Sequence, residues 1–304
     1  MTSLVFLLVV VATMLVVILE NRNPYKTLAW ILVLFFLPVV GLVAYFFFGR
    51  DTRKERLISK RGFERLTKYP MMEFQQQESH KSMMEKHLLM RFCYQVNGAL
   101  PFGGNSVRMH TDGYAMIQAL LRAIANAKHH IHMQFYIFED DALGRMVRDA
   151  LIEKAQEGLE VRVLYDDVGS IGFIDSVFVK RMESLGIKCR VFNPLVPVLN
   201  MIMNNRDHRK LTVIDGKVGF TGGYNLADKY FNLENPYGHW KDTGVKLTGD
   251  AVRSLTVTFL ELWSAMSKEE MEDVTAFFPK ITYEASENCL VQPYADSPLD
   301  DELV

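Results

Sequence analysis

The chain has 304 residues, 49% of them hydrophobic, and a formal net charge of −2. It is too long for one average domain, and its apolar content is high enough to predict membrane segments. No basic face is present outside one short run, so the nucleic-acid signature is absent. Cys93, Cys189 and Cys289 lie far apart, which fits a reducing compartment and excludes a cysteine-based disulfide or metal framework.

In chain order, the first element is the uncharged run Leu4 to Leu19, LVFLLVVVATMLVVIL, and the second is Leu28 to Phe48, LAWILVLFFLPVVGLVAYFFF. At 1.5 Å per residue the second covers roughly 30 Å and predicts a full membrane crossing, with a kink at Pro38 and Gly41. The first reaches only about 24 Å and crosses only if the bilayer thins or its flanks contribute. The start, MTS, and the exit, ENRNPYK, lack the marks of a cleaved signal peptide, so a retained transmembrane hairpin over residues 1–50 is expected. The connector holds Arg22 and Lys26, whereas RDTRKERLISKRGFERLTK, residues 50–68, carries eight basic and three acidic residues. The positive-inside rule then places everything after Arg50 in the cytoplasm. That basic run reads equally as a solvated helix and as a segment drawn to anionic lipid, at about 1 kcal/mol per basic residue.

Residues 51–110 read as a basic, helical or loop-rich link. Beyond them, DGYAMIQALLRAIANAKHH has apolar residues at helical spacing and feeds the strand-length run IHMQFYIF. The helix GRMVRDALIEKAQEG, the strand LEVRVLYDDVG, the helix IDSVFVKRMESLG and the strand IKCRVFNP follow. This alternation predicts an α/β fold, a mixed but mainly parallel sheet flanked by helices. HRKLTVID and KVGFTGG read as a hairpin about Gly216, and TGVKLTGD as another strand. AVRSLTVTFLELWSAMS is expected as a helix with Leu255, Phe259, Leu262 and Met266 on one side.

The stretch NNRDHRKLTVIDGKVGFTGGYN, residues 204–225, concentrates the chemistry. A strand period of two puts His208 and Lys210 on one face, with Asp215 at the turn. Imidazole beside ammonium suits a phosphate: the lysine neutralises phosphoryl oxygens while the histidine attacks phosphorus. Gly222 and Gly223 allow close backbone approach, and the Asn225 amide can donate to another oxygen. A phosphodiester is the substrate class this fits.

The order H-x-K, four residues, D, then G-G-x-N resembles the phospholipase D superfamily signature. NRDHRKLTVIDGKVGFTGGYNLAD resembles the version in bacterial cardiolipin synthases. NRNPYKTLAWILVLFFLPVVGLVAYFFFGR is similar to their N-terminal hairpin, and IHMQFYIFEDDALG, VRVLYDDVGS and GHWKDTGVKLTGDAV to their catalytic segments. The resemblance implies His208 as nucleophile or general acid, with Lys210, Gly223 and Asn225 around the phosphate. Asp215 would support the motif's geometry. Asp242, in HWKDTG, would orient the histidine and stabilise its imidazolium, against the alternative of an ordinary strand-end aspartate. No cofactor and no metal is implied. The implied activity is phosphatidyl transfer between two phosphatidylglycerol molecules at the bacterial plasma membrane; a phospholipase D or other phosphodiesterase is the alternative.

The family builds its site from two H-x-K pairs, and this chain has one. Residues 111–285 then correspond to one catalytic half and 286–304, NCLVQPYADSPLDDELV included, to a strand and loop leading into a second. The alternatives are a twofold dimer, with His208 of each copy at the axis, and an inactive half. His129, His130 and His132 cluster without a neighbouring carboxylate or cysteine, so a zinc site is not expected there. NPLVPVLNMIMNN reads equally as core packing and as an acyl path.

Overall fold

The computed structural model describes residues 2–19, 24–45, 87–172, 174, 176–194, 206–266, 273–281 and 289–295. The chain divides into two compact units, one holding the N-terminal helices and the other the sheet. The basic run 50–68, residues 195–205 of the Met-rich segment and residues 296–304 lie outside the described residues.

In the first unit, α1 spans Thr2–Leu19, α2 Pro24–Phe36 and α3 Pro38–Ala44. Helix α2 stops because Pro38 disfavours helical geometry at the residue before it: Leu37 adopts φ −129° and ψ 61°. The kink expected at Pro38 is therefore a break, and the second apolar run becomes two helices of 13 and 7 residues rather than one span. Val17, Leu34 and Tyr45 form a small buried cluster, with Trp30 packed edge-on to Tyr45 at 5.5 Å. Among the described residues, no helix is long and apolar enough to cross a membrane.

The second unit begins with α4, Leu88–Asn97, closed by Gly98 in the left-handed conformation. Strand β1, Phe102–His110, follows. It falls in the stretch read from sequence as a link, yet it pairs with two strands of the sheet. Helix α5, Gly113–Ala125, starts where Asp112 accepts from the amides of Tyr114 and Ala115. It buries Met116, Ile117, Leu120 and Ile124, the apolar stripe its spacing dictates.

Strands β2, His130–Phe135, β3, Glu160–Asp166, and β4, Lys188–Phe192, are joined by α6, Ala142–Gln156, and α7, Ser176–Ser184. These are the crossover units the alternation predicts, and β2–β3 and β3–β4 are parallel. The remaining strands are β5, Lys210–Ile214, β6, Val218–Gly222, β7, Gly244–Thr248, and β8, Cys289–Val291. The sheet order is β4-β3-β2-β5-β6-β7-β1-β8.

The other five pairings are antiparallel, so the sheet is mixed but not mainly parallel. The tight turn Asp215–Gly216–Lys217 can join only antiparallel strands, here β5 and β6, and β5 also runs antiparallel to β2 on its other side. Strand β8 lies within this sheet, although its residues read as a lead-in to a second half.

Helices α5, α6 and α7 cover one face through Leu120, Val147, Leu151, Phe178 and Met182, packed on Ile131, Met133 and Val163. Helix α8, Val252–Met266, serves the other: Phe259 stacks on His132 at 4.6 Å, and Arg162 and Arg190 lie over Trp263. The sequence suggests a one-sided helix. Instead α8 is buried nearly all round, with Glu261 its one exposed residue.

Candidate active site

Site residues gather beside the C-terminal ends of the parallel strands β2 and β3, where open α/β sheets place their ligands. Residues 206–209 lead into β5 and are tied down on both sides of His208. The buried Asp207 carboxylate accepts from Arg209 Nε at 2.9 Å and Nη2 at 2.8 Å, and also from the Gln134 amide. Asp166, at the end of β3, accepts from the amides of Val168 at 2.9 Å and Gly169 at 3.0 Å. Asp207 N and Arg206 Nη1 approach the same carboxylate at 3.4 Å.

This framework leaves the His208 ring exposed while Lys210, the first residue of β5, is only 5% exposed. Lys210 Nζ stands 3.1 Å from His208 Nδ1 and 3.2 Å from Nε2, and donates to the His208 carbonyl at 2.6 Å. The Tyr136 ring, just past β2, lies 4.6 Å from the imidazole and 5.3 Å from Nζ. Burial and the Lys210 charge lower the His208 pKa, with Asp207 opposing. Burial lowers Lys210 to about 8, against the attraction of Asp207 and Asp242. A neutral, reachable imidazole beside a protonated amine can attack an electrophile whose oxygens the amine stabilises.

The other expected residues divide. Gly223 donates its amide to the Thr243 carbonyl at 3.1 Å, and a β-carbon on it would overlap the Asp242 carboxylate. Asp242 therefore fills the space a side chain at 223 would take. Its oxygens accept from Thr243 N at 2.8 Å and Trp240 Nε1 at 3.3 Å, not from His208. Asn225 is buried; its oxygen accepts from Ile137 N at 3.0 Å and its side chain also bonds Tyr230.

Asp215 does not join the site. It lies at the far end of β5, roughly 16 Å along the strand from Lys210. There its carboxylate accepts from the amides of Lys128, His129 and His130 at 2.8 to 3.0 Å, joining the β5–β6 turn to the start of β2.

His130 and His132 are buried beneath α8, with His129 at the surface. His129 Nδ1 and His130 Nδ1 are 2.8 Å apart, and both ring nitrogens of His132 lack a hydrogen-bond partner among the described residues. Also among the described residues, no group of three or more His, Cys, Asp or Glu side chains is arranged to hold a metal ion.

Tyr136, Gln134 and Asp166 were not singled out by sequence reasoning. Their signal was position: each lies at or near the C-terminal end of a strand in a βαβ unit.

Residues 120–263 match the family described as cardiolipin synthase, PLD-like domain, and residues 5–50 match the phospholipase D-nuclease N-terminal family. The chain is 38% identical over 275 residues to the "Major cardiolipin synthase ClsA" of Bacillus subtilis, covering 87% of this chain and 57% of that protein. It is 37% identical over 286 residues to the "Cardiolipin synthase" of Alkalihalophilus pseudofirmus, covering 92% and 56%. The chain thus spans little more than half the length of these curated relatives. NucT from Helicobacter pylori superposes with a TM-score of 0.43 at 16% identity, over 53% of this chain and 98% of that one. By sequence, then, the chain carries a phospholipase D-like domain of the cardiolipin synthase type over residues 120–263.

Proposed function

We propose that this chain supplies one His-x-Lys centre of a cardiolipin synthase, which transfers a phosphatidyl group between two phosphatidylglycerol molecules. The observation that carries the reading is an exposed His208 imidazole with the buried ammonium of Lys210 3.1 Å away. One histidine nitrogen bonds to the phosphorus of the first phosphatidylglycerol as the P–O bond to its headgroup glycerol breaks. A second histidine gives that oxygen a proton, and glycerol leaves. The primary hydroxyl of the second phosphatidylglycerol then attacks the phosphohistidine and returns a proton to the second histidine, forming cardiolipin.

Lys210 stabilises the equatorial oxygens of the phosphorane and Asn225 serves the same phosphate, whereas the Gly223 amide stays on the Thr243 carbonyl. Asp242 helps keep Lys210 charged against burial. To orient a histidine it would need one from elsewhere in the assembly, because its own bonds go to Trp240 and Thr243. Asp215 acts by pinning strands. The second histidine comes from a further His-x-Lys segment or from a second copy of this chain.

Membrane attachment through the hairpin, with the sheet domain in the cytoplasm of a bacterium, belongs to the same proposal. It is supported by the match over residues 5–50 and by the apolar side chains α1 to α3 turn outward, Leu8, Leu15, Phe35, Phe36 and Val40 among them. In a chain with its three native cysteines replaced by serine, an impermeant thiol reagent should label intact cells through a cysteine at Asn23 and not through one at Asp149. The reverse pattern would overturn the orientation.

The test of the reaction is product identity. Protein in phosphatidylglycerol vesicles should release cardiolipin and glycerol in equal amounts; phosphatidic acid alone would establish the hydrolytic alternative. Mass in mild detergent separates the remaining case, since a monomer with one motif and no turnover is an inactive half.

A further inference from the structure

A second concentration of positive charge lies away from His208. It borders a cavity of about 300 Å³ between the C-terminal half of α5 and strands β1, β6 and β7. Arg108 of β1 and Lys246 of β7 are direct cross-strand partners in an antiparallel pair. Like charges in that position destabilise a sheet. Lys217 in the β5–β6 turn and Arg122 of α5 add two more cations to the same lining.

None of the four makes an ion pair among the described residues; Arg122 bonds only the neutral Gln118 amide. Asp215 also borders the cavity, but its carboxylate is committed to the amides of Lys128, His129 and His130. His110 contributes a buried Nε2 with no partner among the described residues. Arg108 and Lys246 are near enough to help burial lower its pKa. His110 is three strands from β5, roughly 14 Å from the catalytic motif.

We propose that this cavity is a second anion site, which binds the phosphate of a phosphomonoester or phosphodiester. Arg108 and Lys246 clamp it from two strands, Lys217 and Arg122 close the rim, and His110 Nε2–H donates from the floor. A phosphate between Arg108 and Lys246 turns their repulsion into attraction, and the volume leaves room for a glycerol-sized substituent. The source of the phosphate is either a soluble ester or the headgroup of an anionic lipid.

The experiment is thermal unfolding of the full chain in non-ionic detergent, in a His208→Ala/Lys210→Ala background so that the catalytic motif contributes nothing. Two probes are used: sn-glycerol 3-phosphate in the buffer, and phosphatidylglycerol mixed into the micelles. One of them should raise Tm saturably, by about 5–10 °C near 100 times its Kd, while sodium chloride at equal ionic strength does not. Which probe acts identifies the source. Arg108→Gln and Lys246→Gln should each abolish the shift, and each should raise the probe-free Tm by about 1–3 °C by removing the like-charge contact. No saturable shift with either probe, or a shift that survives both substitutions, would overturn the proposal and leave the His208 reading untouched.

Discussion

The Asp242 carboxylate occupies the volume in which a side chain on Gly223 would begin. Gly223→Ser must therefore displace that carboxylate from Thr243 N and Trp240 Nε1. The expected cost is about 1–3 kcal/mol of stability. Adding Asp242→Ala to Gly223→Ser should cost less than Asp242→Ala alone, because the bonds of Asp242 are already displaced and its removal relieves the clash. Thermal unfolding of the four proteins checks this, and strict additivity would show that the two residues do not compete for space.

In the proposed mechanism Lys210 should set the alkaline limit of activity: its protonated form would stabilise the phosphorane, and burial lowers its pKa to about 8. Turnover should fall as pH rises through about 8, well below the range of an ordinary lysine. On the acid side, the lowered pKa of His208 keeps the imidazole neutral and nucleophilic below the usual histidine range. Lys210→Arg should be slower at neutral pH yet lose the limb near pH 8, since guanidinium stays charged. A pH–rate profile of both proteins decides.

His130 and His132 predict acid lability. Burial lowers both, His130 to about 3 and His132 well below its usual value, so the fold holds them neutral. Unfolded, each binds a proton below about pH 6.5; stability is therefore complete above that value and lost as pH falls. Between pH 7 and pH 5 each should cost about 2 kcal/mol. His132→Phe, against the Phe259 ring, should remove about half of that slope while leaving phosphatidyl transfer at pH 7 nearly unchanged. Denaturant unfolding at the two pH values measures it.

Asp215→Ala should act on stability. The amides of Lys128, His129 and His130 lose their acceptor, for about 1–3 kcal/mol each if left unsatisfied and less where water reaches them. Turnover per folded molecule should stay within a few-fold of wild type. A loss of several orders of magnitude in a fully folded variant would instead give Asp215 a direct part in the chemistry.

Much of this was legible in the sequence where one segment carries its own signal. The helix–strand alternation gave α5 to α7 and β2 to β4, and H-x-K at strand spacing gave two side chains that meet. Strand β1 was not legible: FGGNSVRMH is glycine-rich and half exposed, and its partner β7 lies more than a hundred residues later. Its buried Asn105 holds β8 and the start of α8 together, a long-range bond no local pattern announces. The sheet was misjudged as mainly parallel because alternation reports only the crossover units, and the hairpin after them adds antiparallel strands. At the site, Tyr136 reaches the His208 ring, and Gln134 and Asp166 hold the neighbouring Asp207, from positions far away in sequence, so the motif alone could not name them.

The most direct test of the account is His208→Ala in an assembly shown by mass to hold two His-x-Lys motifs and to be free of wild-type protein. In phosphatidylglycerol vesicles, wild type should form cardiolipin and glycerol together, and the variant should lose several orders of magnitude in turnover while keeping its unfolding temperature. Full cardiolipin formation by the variant would contradict the assignment of His208 and, with it, the phosphohistidine mechanism.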